Sequence, residues 1–235
     1  MKRNHLVLVR FIVAIVSIAV FKGQTIVYAQ QAKDQDKSNI AFQWTFGAIR
    51  NTDLEPKFEI ITRDIELKSG DQIKFFLGIE NKCFLYLIYK SSQGELSVLF
   101  PYRFKLLGDN YPISGDHYIP KGDQWFDLDE HTGTERFYLL ASFKRLYQLE
   151  AYVNEYESAN KFKKKEISEK ILSEIRKLRR QNRKFKSYPE KPVTIIGKMR
   201  GTEKTLAAGL NDIADYAMEI SAHHFFSRTF TIDHQ

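Results

Sequence analysis

A single cysteine, Cys83, stands in 235 residues. One thiol excludes an intrachain disulfide framework and a cysteine-ligated zinc site. No Gly-x-Ser-x-Gly elbow and no His-Glu-x-x-His pair occurs, which excludes the hydrolase and zinc-protease patterns built on them. Gly197 to Thr205 has the outline of a phosphate loop. That motif needs Lys and then Ser or Thr directly after its second glycine, and here Thr202 follows Gly201. Long apolar runs are also missing. Phe11 to Phe21 is interrupted by Ser17, and counting from Leu6 only adds Arg10, so it falls short of the ~20 residues a spanning helix needs.

What that first stretch does contain is an address. Lys2, Arg3 and Arg10 form a basic start, the apolar run follows, and Val27-Tyr28-Ala29 ends in residues suited to signal-peptidase cleavage. Residues 1–29 are therefore read as a cleaved signal peptide, the alternative being an uncleaved N-terminal anchor. No Cys lies near Ala29, which excludes lipoprotein processing. The chain from Gln30 is expected to be periplasmic or secreted.

Composition then has to be read twice. The whole chain carries 36 Lys+Arg against 29 Asp+Glu, a net +7. A pI near 9.3 invites a nucleic-acid reading. The signal segment holds four of those cations (Lys2, Arg3, Arg10, Lys22) and no acid, so 32 against 29 leaves +3. A hydrophobic share of 43% with 28% charged residues excludes a disordered chain. Length suits one domain, or one domain with an appendage.

Aromatics reach 14% and lean toward β structure. Residues 30–40 are polar and expected to be frayed. Phe42, Trp44 and Phe46 alternate with Gln43, Thr45 and Gly47 as one-faced strand material. Segment 57–67 offers more strand, with a turn near Arg63-Asp64. Ile73, Phe75, Leu77 and Ile79 alternate with Lys74 and Glu80. Cys83 to Tyr89 is apolar on both faces, which predicts a central strand buried on two sides. A turn at 91–94 returns the chain as Leu96 to Phe100. Short strands are expected at 117–119, 124–128 and 137–141. Strands this closely spaced predict an antiparallel, Ig-like β-sandwich over 41–145.

The period then changes. Leu146, Leu149, Val153 and Tyr156 share one helical face, and Ile167, Ile171, Ile175, Leu178 and Phe185 share another. Neither segment contains Gly or Pro, so 146–186 reads as a helical hairpin inserted in, or appended to, the sandwich. Segment 187–235 is expected to hold a short helix at 212–220 and a final strand, Phe226 to Ile232, returning to the sandwich. The fold class is mainly β, α+β overall.

The stretch Leu67 to Pro101 resembles the domain-of-unknown-function family 4384. The marks are Gly70-Asp71, Phe84-Leu85-Tyr86, Ser92-Gln93-Gly94 and Leu99-Phe100-Pro101. Tyr118-Ile119-Pro120, Gly133-Thr134-Glu135-Arg136 and Leu140-Ala141-Ser142 follow in order. The resemblance covers about 60–145. It implies a β-sandwich-like fold in an exported bacterial protein of uncharacterised function, and it carries no catalytic residue.

Candidate chemistry is thin. Cys83 falls on a buried face with Leu85, Leu87 and Tyr89, where a thiol acts as a small hydrophobe. Asp127, Asp129, Glu130 and His131 gather in a turn but lack the spacing of a calcium loop. His223 and His224 are adjacent, and in a strand would point to opposite faces. No catalytic residue, metal or cofactor is assigned. Ligand-binding candidates are Tyr111, Tyr118, Trp125, Asp127 and Asp129, on loops where a glycan or peptide site would sit. Residues 161–186 hold twelve Lys/Arg against three acids, a net +9, which leaves −6 for the rest of the exported chain. Lys163, Lys164, Lys165, Arg176, Arg179, Arg180 and Arg183 are the polyanion-binding candidates, set against a merely solvated helix face. The expected function is a non-enzymatic interaction module with a protein or envelope component as partner. Envelope glycan or peptide binding or hydrolysis is one alternative, and peripheral contact with an anionic membrane or polymer is another. A nucleic-acid partner is not expected for an exported chain. N-terminal sequencing of the exported chain is expected to read Gln30-Gln31-Ala32; an intact Met1 would establish the anchor instead.

Overall fold

Alternation in the sequence becomes packing most directly in strand β1, Asn39–Arg50. Ile40, Phe42, Trp44, Phe46 and Ala48 all point inward and are fully buried. The strand begins inside the segment expected to fray, because Ile40 is already part of the core. The computed structural model describes residues 39–52, 56–80, 83–102, 114–183, 191–192 and 212–235. The expected signal segment 1–29, Tyr111 and the glycine-bearing 197–205 lie outside the described residues.

Two sheets face each other. One joins β1 to β4 (Gln72–Ile79) and β11 (Met218–His223), with β7 (Gly115–Ile119) and β10 (Lys191–Pro192) as outer strands. The short strands β2 (Lys57–Ile60) and β8 (Phe126–Asp127) add to β1 and β4. The other sheet runs β3-β12-β9-β5-β6, with β3 at Ile65–Leu67, β12 at Phe225–His234, β9 at Gly133–Ser142, β5 at Phe84–Lys90 and β6 at Leu96–Phe100. The predicted mainly β sandwich with a helical hairpin is the fold observed. Among the pairs described, β3 departs from the antiparallel expectation by running parallel to β12. The chain leaves one sheet after β2 and enters the other at β3, so β3 arrives from across the sandwich rather than from a hairpin.

The interface is aromatic. Phe46 and Phe75 stack with centroids 3.8 Å apart and planes 10° from parallel. Phe137 and Phe230 from the facing sheet close on Phe46, each at 5.2 Å. Cys83, Leu85 and Leu87 join the same core. The β5–β6 turn is closed by Gly94 N–H donating to Ser91 O at 3.0 Å, with Gly94 at φ +87°, a conformation that favours glycine.

Strand β5 is central and buried on both faces, as predicted. Its outward residues Tyr86 and Ile88, with Leu140 and Phe225, meet the helices α1 (Tyr147–Ser158) and α2 (Lys161–Gln181). Leu149, Val153 and Tyr156 of α1 and Ile167, Ile171 and Ile175 of α2 supply the facing layer. Asn160 caps α2 by accepting from the Lys163 N–H at 3.1 Å. Among the described residues, no helix is long and apolar enough to cross a membrane.

The short helix expected at 212–220 is instead one 3-10 turn, Ile213–Tyr216, followed by β11. Ile220 and Ala222 alternate inward with the exposed Glu219 and Ala-flanking Ser221 outward, so strand pairing overrides a weak helical pattern. His223 and His224 do not share a strand. His223 ends β11, and His224 turns the chain at φ 61° toward β12 in the other sheet. Phe46→Ala is expected to lower stability by ~3–5 kcal/mol in urea unfolding, since it opens the centre of the aromatic cluster. Phe162→Ala, on the exposed side of α2, is expected to stay within about 0.5 kcal/mol.

Candidate functional site

The outer face of the first sheet holds a buried lysine. Lys74 points away from the sandwich core, since its neighbours Ile73 and Phe75 point in. It pairs across the ladder with Gly47. A Cβ on Gly47 would lie 2.8 Å from the Phe58 ring and 3.0 Å from Ile213, so glycine is what lets those side chains cross the sheet. Phe58, Phe76, Ile213, Ala217, Tyr118 and Trp125 form a small apolar cluster beside Lys74.

The Lys74 ammonium sits 5.5 Å from the Tyr118 ring centre and 5.6 Å from that of Trp125. It donates to Gly122 O at 2.5 Å, leaving two of its three protons for other acceptors. Burial lowers its pKa, and the carboxylates of Asp123 and Asp212 oppose that shift. Tyr118 donates to Asp212 Oδ2 at 2.5 Å, while Asp212 Oδ1 accepts the Ala214 N–H at 3.0 Å. Burial, then this bond to Asp212, raises the Tyr118 pKa, keeping the phenol protonated. Lys74, Tyr118, Gly122, Asp123, Trp125, Asp212 and Ile213 line an open cavity of about 520 Å³.

This arrangement divides the predicted ligand residues. Tyr118 and Trp125 come together, half-buried, but Asp127 and Asp129 do not join them. The two-residue strand β8 turns Asp127 and Asp129 to a second cavity of about 270 Å³, with Tyr89, Phe137 and Glu135. There Asp127 accepts from Gln72 Nε2 at 2.6 Å, and Asp129 accepts the His131 N–H at 2.8 Å. No three metal-ligating side chains converge among the described residues. The acids that complete the Lys74 cavity, Asp123 and Asp212, were not singled out in the sequence. Asp212 stands 94 residues from Tyr118, and only the fold brings them together.

A second constellation also escaped the sequence reading. Ser69 Oγ lies 3.1 Å from His234 Nε2, and His234 Nδ1 lies 3.3 Å from Glu135 Oε1. The order is that of nucleophile, base and acid. The surrounding donors are spent, however. Ser69 N–H donates to Gln235 O, Gly70 N–H to Leu128 O, and Asp71 N–H to Lys68 O. No backbone donor of this turn is left to hold an oxyanion, and His234 is itself buried. The chain of bonds ties the C-terminal strand to the turn before β4.

The basic helix is exposed as expected, with exceptions. Lys163, Lys165, Arg176, Arg180 and Arg183 face solvent. Lys164 is half-buried, with its ammonium 4.9 Å from the Tyr156 ring centre. Arg179 turns onto the sheet and donates to Thr229 Oγ1 at 2.9 Å, so it is no part of an outward patch.

Residues 66–145, about a third of the chain, match the model of a family described as a domain of unknown function (DUF4384). No curated protein and no solved structure matches the chain. The matched segment carries Lys74, Tyr118, Asp123 and Trp125, whereas Asp212 and the basic helix lie outside it.

Cys83 is fully buried, and burial pushes its pKa from 9.0 up to about 12. Thiol-specific reagents at pH 8 are expected to label it only as fast as the chain unfolds. Above about pH 9 the unfolded thiol ionises while the folded one does not, so this group lowers stability as pH rises. His234→Ala is expected to cost on the order of 1–3 kcal/mol, since it removes one of the partners of buried Glu135, leaving it the Tyr89 hydroxyl, and takes from Ser69 its link to the C-terminal strand.

Proposed function

Starting from a domain of unknown function (DUF4384) at residues 66–145, we propose that the chain is an exported, non-enzymatic interaction module. Its ligand is a saccharide of the cell envelope, taken up in the Lys74 cavity. One observation carries this reading: two aromatic rings, an ammonium and two carboxylates line a single open cavity of about 520 Å³ on the outer sheet face. Sugars present apolar ring faces for stacking and hydroxyls that both donate and accept. Trp125 and Tyr118 suit the first property, and Lys74, Asp123 and Asp212 the second.

Binding without turnover fits the state of the acids. Asp212 already accepts from Tyr118 and from the Ala214 N–H, which leaves it poorly placed as a proton donor. The signal segment, with its basic start and its Val27-Tyr28-Ala29 end, supports export to the compartment where such glycans lie.

The two tryptophans make the test direct. Trp44 is fully buried in the core, so a surface ligand reports through Trp125. Titration of the purified chain with soluble peptidoglycan fragments is expected to give a saturable fluorescence change. Lys74→Met and Asp123→Asn should weaken that response while the unfolding midpoint of Asp123→Asn stays put. A flat titration across envelope saccharides would sink the reading, and release of reducing ends with time would replace binding by hydrolysis.

A further inference from the structure

The outward face of α2 is not a generic solvated surface. Ile167, Ile171 and Ile175 fix the helix on the second sheet, so the opposite stripe is set by the 3.6-residue period. That stripe runs Phe162, Lys165, Glu169, Arg176 and Arg180, at steps of three and four with Ser173 between, and Arg183 follows just past the helix end; each is exposed. It carries four positive charges against one acid. Lys165, Arg176, Arg180 and Arg183 make no ion pair with another described residue, while the neighbouring Lys170 and Lys177 are engaged by Glu166 and Glu174. The stripe begins with an aromatic residue. Phe162 is 93% exposed. Among the described residues, the other exposed large hydrophobic side chains are occupied: Tyr147 lies under the Arg145 guanidinium, and Tyr216 packs on Phe58.

From this we infer that α2 is a docking face for an anionic lipid bilayer, with Phe162 entering the headgroup boundary and the four cations contacting lipid phosphates. The choice of occupant rests on pairing charge with an exposed ring. A soluble or wall-bound polyanion would be recognised by the cations alone and has no apolar layer to receive Phe162. The apolar face of α2 is already spent on the sheet, so attachment is peripheral and electrostatic, with a single aromatic anchor. The helix lies outside the family match and away from the Lys74 cavity, so this surface stands or falls independently of the saccharide site.

The experiment uses the chain from Gln30, which retains the whole compact unit Ile40–Gln235. Because Cys83 is buried, Phe162→Cys provides a selective position for an environment-sensitive fluorophore. Vesicles of phosphatidylcholine containing phosphatidylglycerol are expected to shift the probe to a less polar environment at low salt, and high salt should reverse the shift. In co-sedimentation of the unlabelled chain, Arg176→Glu/Arg180→Glu should weaken binding by more than about tenfold. Phe162→Ser should weaken it several-fold, and both variants should keep the parent unfolding midpoint. A silent probe, or equal binding to pure phosphatidylcholine, overturns the proposal. So does capture by dextran sulfate together with no vesicle binding, which would assign the face to a polyanionic polymer.

Discussion

The five-stranded sheet is apolar on both faces, and much of the molecule follows from that. Its inner residues Leu85, Leu87, Phe137, Leu139 and Phe230 close on the facing sheet. Its outer residues Tyr86, Ile88, Leu140 and Phe225 would leave a large exposed hydrophobic surface if nothing covered them. The helical hairpin supplies that cover. A polar clamp holds it in place: buried Glu150 accepts from Tyr86 at 2.8 Å and from Arg145 at 2.8 Å, while the Tyr86 hydroxyl accepts the Leu146 N–H at 3.0 Å. Each charged atom entering the layer has a partner, as burial of charge requires. Because α2 spends its apolar stripe here, its cations and Phe162 face outward.

The other sheet meets the same demand, among the described residues, with an aromatic cluster rather than a helical layer. Its outer face is covered by one 3-10 turn, Phe58 and the aromatic pair Tyr118 and Trp125. That partial cover buries the stem of Lys74 but leaves open space beside its ammonium. Among the described residues, the two candidate binding surfaces thus arise from two ways of finishing a sandwich, a helical layer on one side and an aromatic cluster with a 3-10 turn on the other.

Several local features were legible in the residue order. The continuous apolar run Cys83 to Tyr89 announced a strand covered on both sides, because no polar face was available for solvent. The i, i+3, i+7 pattern of Leu146, Leu149 and Val153 announced a helix, and the Gly94 turn announced a hairpin. The short helix at 212–220 was misread because its apolar residues fit both periods over so few positions, and pairing with β1 decided between them. Lys74 read as the polar side of an alternating strand. Nothing nearby in sequence indicated that Tyr118, Trp125 and Asp212 would enclose it.

The sequence by itself determined most of the strands, the helical hairpin, the single inert thiol and the concentration of positive charge in residues 161–186, because these depend on neighbours within a few positions. Only the tertiary structure decided which side chains share a cavity. Asp127 and Trp125 are two residues apart yet serve different cavities: Trp125 lies in the loop before the two-residue strand β8 and Asp127 ends that strand, so no regular alternation ties their directions. Asp212 and Tyr118 are far apart yet hydrogen-bonded, since the chain returns across the sheet. Nor could charge counting tell Arg179 from Arg180. One helical step of about 100° turns the first onto Thr229 and the second to solvent.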